Sequence, residues 1–168
     1  MAEEIINKVA ASGLVTLDFA EMISDEEIVV IDIAPQLENG LVLREKNFRD
    51  WLSNNQWEHC RDKFVGVHCS VDAIVPKWAF MLVAAAMKDI AKSVFHTPKA
   101  DAFESALLKK IELIHPGDYI DKRVIVKGCG NKTLSEAPYV AISQKLIPVV
   151  KSLMFGEPCS TVPVYKKS

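Results

Sequence analysis

Short apolar runs alternate with amphipathic stretches along the whole chain. Ile5, Ile6, Val9 and Ala10 recur at helical spacing, which predicts an amphipathic helix over residues 3–11, stopped by Ser12-Gly13. Asp18 is placed to cap a short helical turn reaching Met22. Residues 28–33, Ile-Val-Val-Ile-Asp-Ile, form a continuous β-branched run, the pattern of a strand buried on both faces. Pro35 and Gly40 bound a loop, and residues 41–43 offer a second, short strand. Residues 45–52 then predict a short helix with Phe48, Trp51 and Leu52 turned inward.

Residues 64–69, Phe-Val-Gly-Val-His-Cys, read as another strand. Pro76 suits the first position of a helix. From there to about residue 91 the chain is apolar almost all round, through Trp78, Phe80, Met81, Leu82, Val83 and Met87. Such a helix belongs inside a protein. Residues 94–96 predict a short strand, and residues 101–113 an amphipathic helix with Phe103, Ala106, Leu107 and Ile111 on its apolar side. Residues 123–127 are a strand ending at Gly128-Cys129-Gly130. Ser135 is the preferred cap of the last helix, because it leaves Pro138 inside the first turn. Ile142, Leu146, Val149, Val150 and Leu153 then mark a buried stripe, with a kink at Pro148 and an end at Gly156 and Pro158. Residues 162–164 are an extended tail, an edge strand at most, because Pro163 has no N–H to donate. Buried strands alternating with helices predict one α/β domain over residues 1–168. Its sheet is mainly parallel or mixed and flanked by helices, with a largely buried helix at about 76–91.

Composition narrows the function classes. The chain has 168 residues, 49% hydrophobic and 25% charged, a globular balance that needs neither disulfides nor metal for folding. Lys and Arg number 20 against 22 Asp and Glu, a net charge of −2 with the basic residues dispersed. No positive excess is there to neutralise phosphates, so nucleic acid is not an expected partner. The longest apolar run falls well short of the about 20 residues of a membrane span. The acidic start, Met1-Ala2-Glu3-Glu4, lacks the features of a signal peptide. The expected location is the cytoplasm, with no membrane partner, where four cysteines stay thiols.

The thiols carry the candidate chemistry. Cys69 ends a predicted strand, and Cys129 follows its strand by two residues. If those strands are parallel, both thiols lie at the carboxyl edge of the sheet, where α/β proteins bind ligands. Cys159 sits in the turn Gly156-Glu157-Pro158-Cys159-Ser160, and only a kink at Pro148 or a returning tail brings it to the same edge. Converging thiolates of Cys69, Cys129 and Cys159 would make a soft site for zinc or an iron–sulfur cluster, or a sulfur-handling site. A fourth ligand would come from His59, His68, His96, Asp72 or outside the chain. A second reading is a non-catalytic interaction or scaffold protein whose cysteines are packing residues. A third is a thiol enzyme using Cys129, which precedes a helix N-terminus with Lys127 and Lys132 nearby, or Asp72 as a base beside Cys69. Cys60 reads as a core residue. The apolar central helix and the aromatic segments predict self-association as a homodimer. Neither dinucleotide nor P-loop glycine spacing is present.

Four stretches together resemble a known family. They are residues 4–10 (Glu-Ile-Ile-Asn-Lys-Val-Ala), residues 69–79 (Cys-Ser-Val-Asp-Ala-Ile-Val-Pro-Lys-Trp-Ala), residues 126–130 (Val-Lys-Gly-Cys-Gly) and residues 156–163 (Gly-Glu-Pro-Cys-Ser-Thr-Val-Pro). The resemblance is to an uncharacterised bacterial domain of unknown function, typical of the Bacteroidota, that occupies the full chain. It brings no activity with it. It implies an association with iron–sulfur assembly proteins as partners. The segment around Cys129 is also similar to the cluster-ligating Gly-Cys-Pro segment of the small NADH–quinone oxidoreductase subunit. Gly130 stands here in place of the proline, and the other clustered cysteines are missing.

Overall fold

The computed structural model of the chain describes residues 13–128, 130 and 132–168. The helix expected over residues 3–11, and Cys129, lie outside them. In chain order the described residues form β1 (Leu14–Asp18), α1 (Phe19–Met22), β2 (Ile28–Asp32), β3 (Leu37–Glu38), β4 (Val42–Leu43) and α2 (Glu45–Asn54). There follow β5 (Phe64–His68), α3 (Lys77–Ala86), β6 (Ser93–His96), α4 (Ala102–Leu113), β7 (Arg123–Lys127), α5 (Ala137–Leu146), β8 (Ser152–Glu157) and β9 (Ser160–Lys166). This is the expected α/β class. The contacts resolve two compact units, one holding the chain up to Ile23 and from Lys110 onward, the other Ser24–Lys109.

The unit of residues 24–109 is built on a parallel sheet in the order β2-β5-β6. β5 is its middle strand, and Phe64, Val65, Gly66 and Val67 are all buried. Gly66 is required there: a Cβ would sit 2.8 Å from Thr97 Cγ2 and 3.4 Å from Phe95 Cε2. The β-branched run at residues 28–33 becomes an edge strand instead. Only Ile31 within β2 is buried, because a terminal strand has one neighbour and less cover. Val65, Val67, Ile31 and Ile33 join Phe48, Leu52, Trp57, Cys60, Val83 and Met87 in one apolar cluster. Trp57 Nε1 donates to Leu52 O at 2.9 Å, so the indole is buried with its polar atom satisfied.

The helix expected at 76–91 is shorter and less enclosed. α3 ends at Ala86, and only Ala79 and Val83 within it are buried. Met81 is 71% exposed, so the apolar sequence of this helix does not mean apolar surroundings on every side.

The other unit carries a four-stranded sheet in the order β1-β7-β8-β9, parallel except for the final β8–β9 hairpin. Val124, Ile125 and Val126 fill its centre. Asp18 caps α1 as expected, accepting from Ala20 N at 2.9 Å. Ser135 Oγ accepts from Ala137 N at 3.2 Å, with Glu136 at the cap position and Pro138 in the first turn.

The largest departure is at the C-terminus. The stripe Ile142, Leu146, Val149, Val150 and Leu153 predicts one kinked helix, but α5 stops at Leu146. Pro148 lacks the N–H a further turn needs, and the chain turns into β8. Leu153 is buried as a strand residue paired with Val124. The expected tail at 162–164 is the middle of the seven-residue edge strand β9.

Candidate functional site

The carboxyl edge of the β2-β5-β6 sheet gathers polar groups. Asp32 ends β2, His68 ends β5 with Cys69 following, and His96 ends β6. The Asp32 carboxylate accepts from Ala34 N at 2.9 Å and from Ser70 N at 3.0 Å. It thereby ties the turn after β2 to the loop after β5. Burial pushes the Asp32 carboxyl up, but the Ser70 and Ala34 hydrogen bonds and the nearby His68 outweigh it and hold the group below its ordinary value.

A cavity of about 560 Å³ opens in the same unit, lined by Cys69, Asp72, Lys77, Phe80 and His96 among others. The expected neighbours Cys69 and Asp72 therefore do share one cavity, and His96, from the next strand, joins them. The Cys69 thiol points to Val71 O at 3.5 Å, and the His96 ring meets Phe80 edge-on at 5.2 Å. Cys60 is fully buried in the apolar cluster, and burial pushes its thiol up from the ordinary value.

In the other unit, Lys127 at the end of β7 bridges two carboxylates. Its Nζ lies 3.1 Å from Asp18 Oδ2 and 3.2 Å from Glu157 Oε2. The hydrogen bonds to Asp18 and then Glu157 raise the ammonium above its ordinary value. Cys159 is exposed in the turn between β8 and β9. Because β8 runs parallel to β7, that turn lies at the carboxyl edge of the sheet, the edge where β7 ends. The returning strand, not a kinked helix, carries it there.

The described residues do not show the expected thiol cluster, and Cys129 lies outside them. Cys69 belongs to one unit and Cys159 to the other. Among the described residues no three His, Cys, Asp or Glu side chains lie close enough to hold a metal ion. The three-thiol metal or sulfur centre therefore has no support among them.

A concavity larger than the Cys69 cavity was not expected. It is a groove of about 1020 Å³ in the unit that holds the chain ends, between α5 and the β8–β9 hairpin. Val140, Gln144 and Ile147 line one wall, Val162 and Val164 the other, with Leu153 and Phe155 below. Its lining is almost wholly carbon, and it is open to solvent along one side. Val140 is 55% exposed, Val162 63% and Val164 53%, far more apolar surface than a core-facing groove leaves open. Two sequence signals mark it. Val162 and Val164 alternate on one face of β9, and Val140 and Ile147 stand seven apart, two turns along the outer side of α5.

The profile of a family described as "Protein of unknown function (DUF2480)" matches residues 3–167. The chain belongs to the DUF2480 family. The match takes in the groove and the Cys69 cavity alike, so both sit within the stretch that defines a DUF2480 protein. No curated protein and no solved structure matches the chain. Among the described residues no helix is long and apolar enough to cross a membrane.

Proposed function

We propose that this chain works by binding, and that the groove between α5 and the β8–β9 hairpin takes the apolar face of an amphipathic helix. The observation that carries the reading is the groove's lining. Its walls offer apolar side chains that are half exposed, and Glu136 is the one charged residue among those that line it. A cavity built to do chemistry converges polar groups on a reacting atom. This surface offers a long, one-sided apolar contact.

Its length suits a short helix. Val140 to Ile147 spans about 10 Å along α5 at 1.5 Å per residue, the length of two turns of an occupant. Strand addition at β9 is a poorer fit. Pro163 removes one N–H from the edge, and Lys166 and Lys167 place charge at its end.

The test is fluorescence anisotropy with a labelled synthetic helix bearing Leu at i, i+3, i+4 and i+7 and Glu or Lys elsewhere. Saturable binding to the full chain is expected. V140D and V164D should each weaken it at least about tenfold, since each loses about 1.5 kcal/mol or more of apolar burial. Both sites are half exposed, so the unfolding midpoints should stay near that of the parent chain. Absence of binding up to about 1 mM, the weak end of specific association, or binding indifferent to both substitutions, overturns the reading.

A further inference from the structure

We propose that the cavity beside Cys69 is a second binding site, and that its ligand is a small zwitterion with an apolar body, the chemistry of an apolar α-amino acid. The site stands apart from the groove. Every residue that lines it belongs to the unit Ser24–Lys109, which is described throughout.

The cavity lies outside the carboxyl ends of parallel strands, where an α/β sheet leaves room for a ligand. Cys69 follows β5, His96 ends β6 and α3 starts at Lys77, so the loop of residues 69–76 walls the space between them. At about 560 Å³ it falls within the range of small-molecule sites. The loop is fixed from below. The Asp32 carboxylate accepts from Ser70 N, and Ala73 N donates to Val71 O at 3.0 Å, which closes a tight turn around Asp72. Asp32 is thereby engaged by the backbone. Asp72, Lys77 and His96 are not engaged: among the described residues their side chains enter no hydrogen bond or ion pair.

Charge selects the ligand. Asp72 and Lys77 bring one charge of each sign to the same cavity without pairing with each other. A simple anion would meet Asp72, and a simple cation would meet Lys77. A molecule carrying an ammonium and a carboxylate satisfies both at once. The carboxylate has further support. α3 is ten residues long, no side chain caps it and its first turn holds no acid, so its leading N–H groups add positive charge beside Lys77. The remaining lining suits an apolar body. Phe80, three residues from Lys77, shares its face of α3, and the His96 ring meets it edge-on at 5.2 Å. Ile74, on the loop, is 94% exposed, and a body in the cavity would cover part of it. The Cys69 thiol donates to Val71 O at 3.5 Å and serves as wall.

The test is isothermal titration of the full chain at neutral pH with L-phenylalanine and two analogues: phenylpropanoate, which lacks the ammonium, and phenylethylamine, which lacks the carboxylate. Phenylalanine should bind saturably in the millimolar range or tighter, and more tightly than either analogue. K77A should weaken it about three- to tenfold. D72N should weaken phenylalanine by a similar factor and at the same time tighten phenylpropanoate, a crossing that loss of folding does not produce. Both side chains are exposed, so the unfolding midpoints should stay near that of the parent chain. Bound phenylalanine should slow alkylation of Cys69 and leave that of Cys159 as it was. No binding of phenylalanine up to about 20 mM, tighter binding of either analogue to the parent chain, or affinities indifferent to both variants overturns the proposal. So does a D72N chain that binds phenylpropanoate more weakly, or Cys69 alkylation unaffected at saturation.

Discussion

The close approach at Gly66 gives a stability prediction that can be worked through. A methyl group at this position would lie 2.8 Å from Thr97 Cγ2, well inside van der Waals contact. Thr97 has little freedom to retreat. It is 1% exposed, its Oγ1 lies 2.8 Å from Ser105 Oγ and 3.1 Å from Pro98 O, and its N–H donates to Val67 O at 3.2 Å. Overpacking of this kind costs about 1–3 kcal/mol. Displacing the threonine hydroxyl from its partner adds about 1 kcal/mol. Loss of glycine's freedom in the unfolded chain returns about 0.4–1 kcal/mol. G66A is therefore expected to lose about 2 kcal/mol. Measured by urea unfolding with a slope near 2 kcal/mol/M, that is a fall of about 1 M in the midpoint. The specific cause can be isolated with T97S, which keeps the hydroxyl and removes the clashing methyl. In a double-mutant cycle, G66A/T97S should recover about 1 kcal/mol relative to the sum of the single changes. A neutral or stabilising G66A, or strict additivity in the cycle, would refute the reasoning.

Two further outcomes are expected, and one measurement decides the thiolate centre. Among the described cysteines, alkylation at pH 8 should modify exposed Cys159 fastest and half-buried Cys69 more slowly. Cys60 should be slowest, since burial both hides its thiol and raises its pKa. Mass mapping of the labelled peptides checks the order, and a thiol outpacing Cys159 below pH 7 would point to Cys129 and to the thiol-enzyme reading. D32A should cost about 1–2 kcal/mol at pH 7, because two backbone N–H groups lose a charged acceptor. The folded carboxyl lies below its unfolded value of about 3.9, so this contribution is complete above that pH and lost as pH falls through the folded value. Stability curves of parent and D32A should therefore converge below about pH 4, and a constant gap at low pH would refute the assignment. Elemental analysis and a visible spectrum of anaerobically purified protein decide the thiolate centre that includes Cys129: zinc or iron at one equivalent would support it, and metal-free protein would refute it.

Much of the fold was legible locally, because most elements announce themselves by their own period. The strand at 123–127 and the helix at 101–113 appear as β7 and α4 with bounds shifted by at most one residue. What failed depended on partners distant in sequence. The run Ile28–Asp32 and the run Phe64–His68 look equally apolar, and only pairing order decides that β5 is central and β2 an edge. The stripe from Ile142 to Leu153 is compatible with a helix, and Pro148 reads as a kink until β7 and β9 are seen to hold Leu153 in a sheet. The Cys69 and Asp72 neighbourhood followed from strand-end placement, whereas the arrival of His96 required the β5–β6 pairing. The groove combines one side of a helix with one side of a hairpin whose sequence predicts helix and tail, so its two local signals stay separate until β8 and β9 pair.

The pairing of β1 with β7 has a consequence for how the chain is made. Leu14 must wait for Arg123, more than a hundred residues downstream, before it can find its neighbour. At roughly 5–20 residues per second on a ribosome, that interval lasts about 5–20 s. During it the segment 24–109 can complete β2, β5 and β6 from contacts already synthesised. Leu14, Val15 and Leu17 meanwhile emerge with no strand to join. β1 is thus paired late, and nascent chains of this protein should expose its apolar residues to chaperones until β7 has been made.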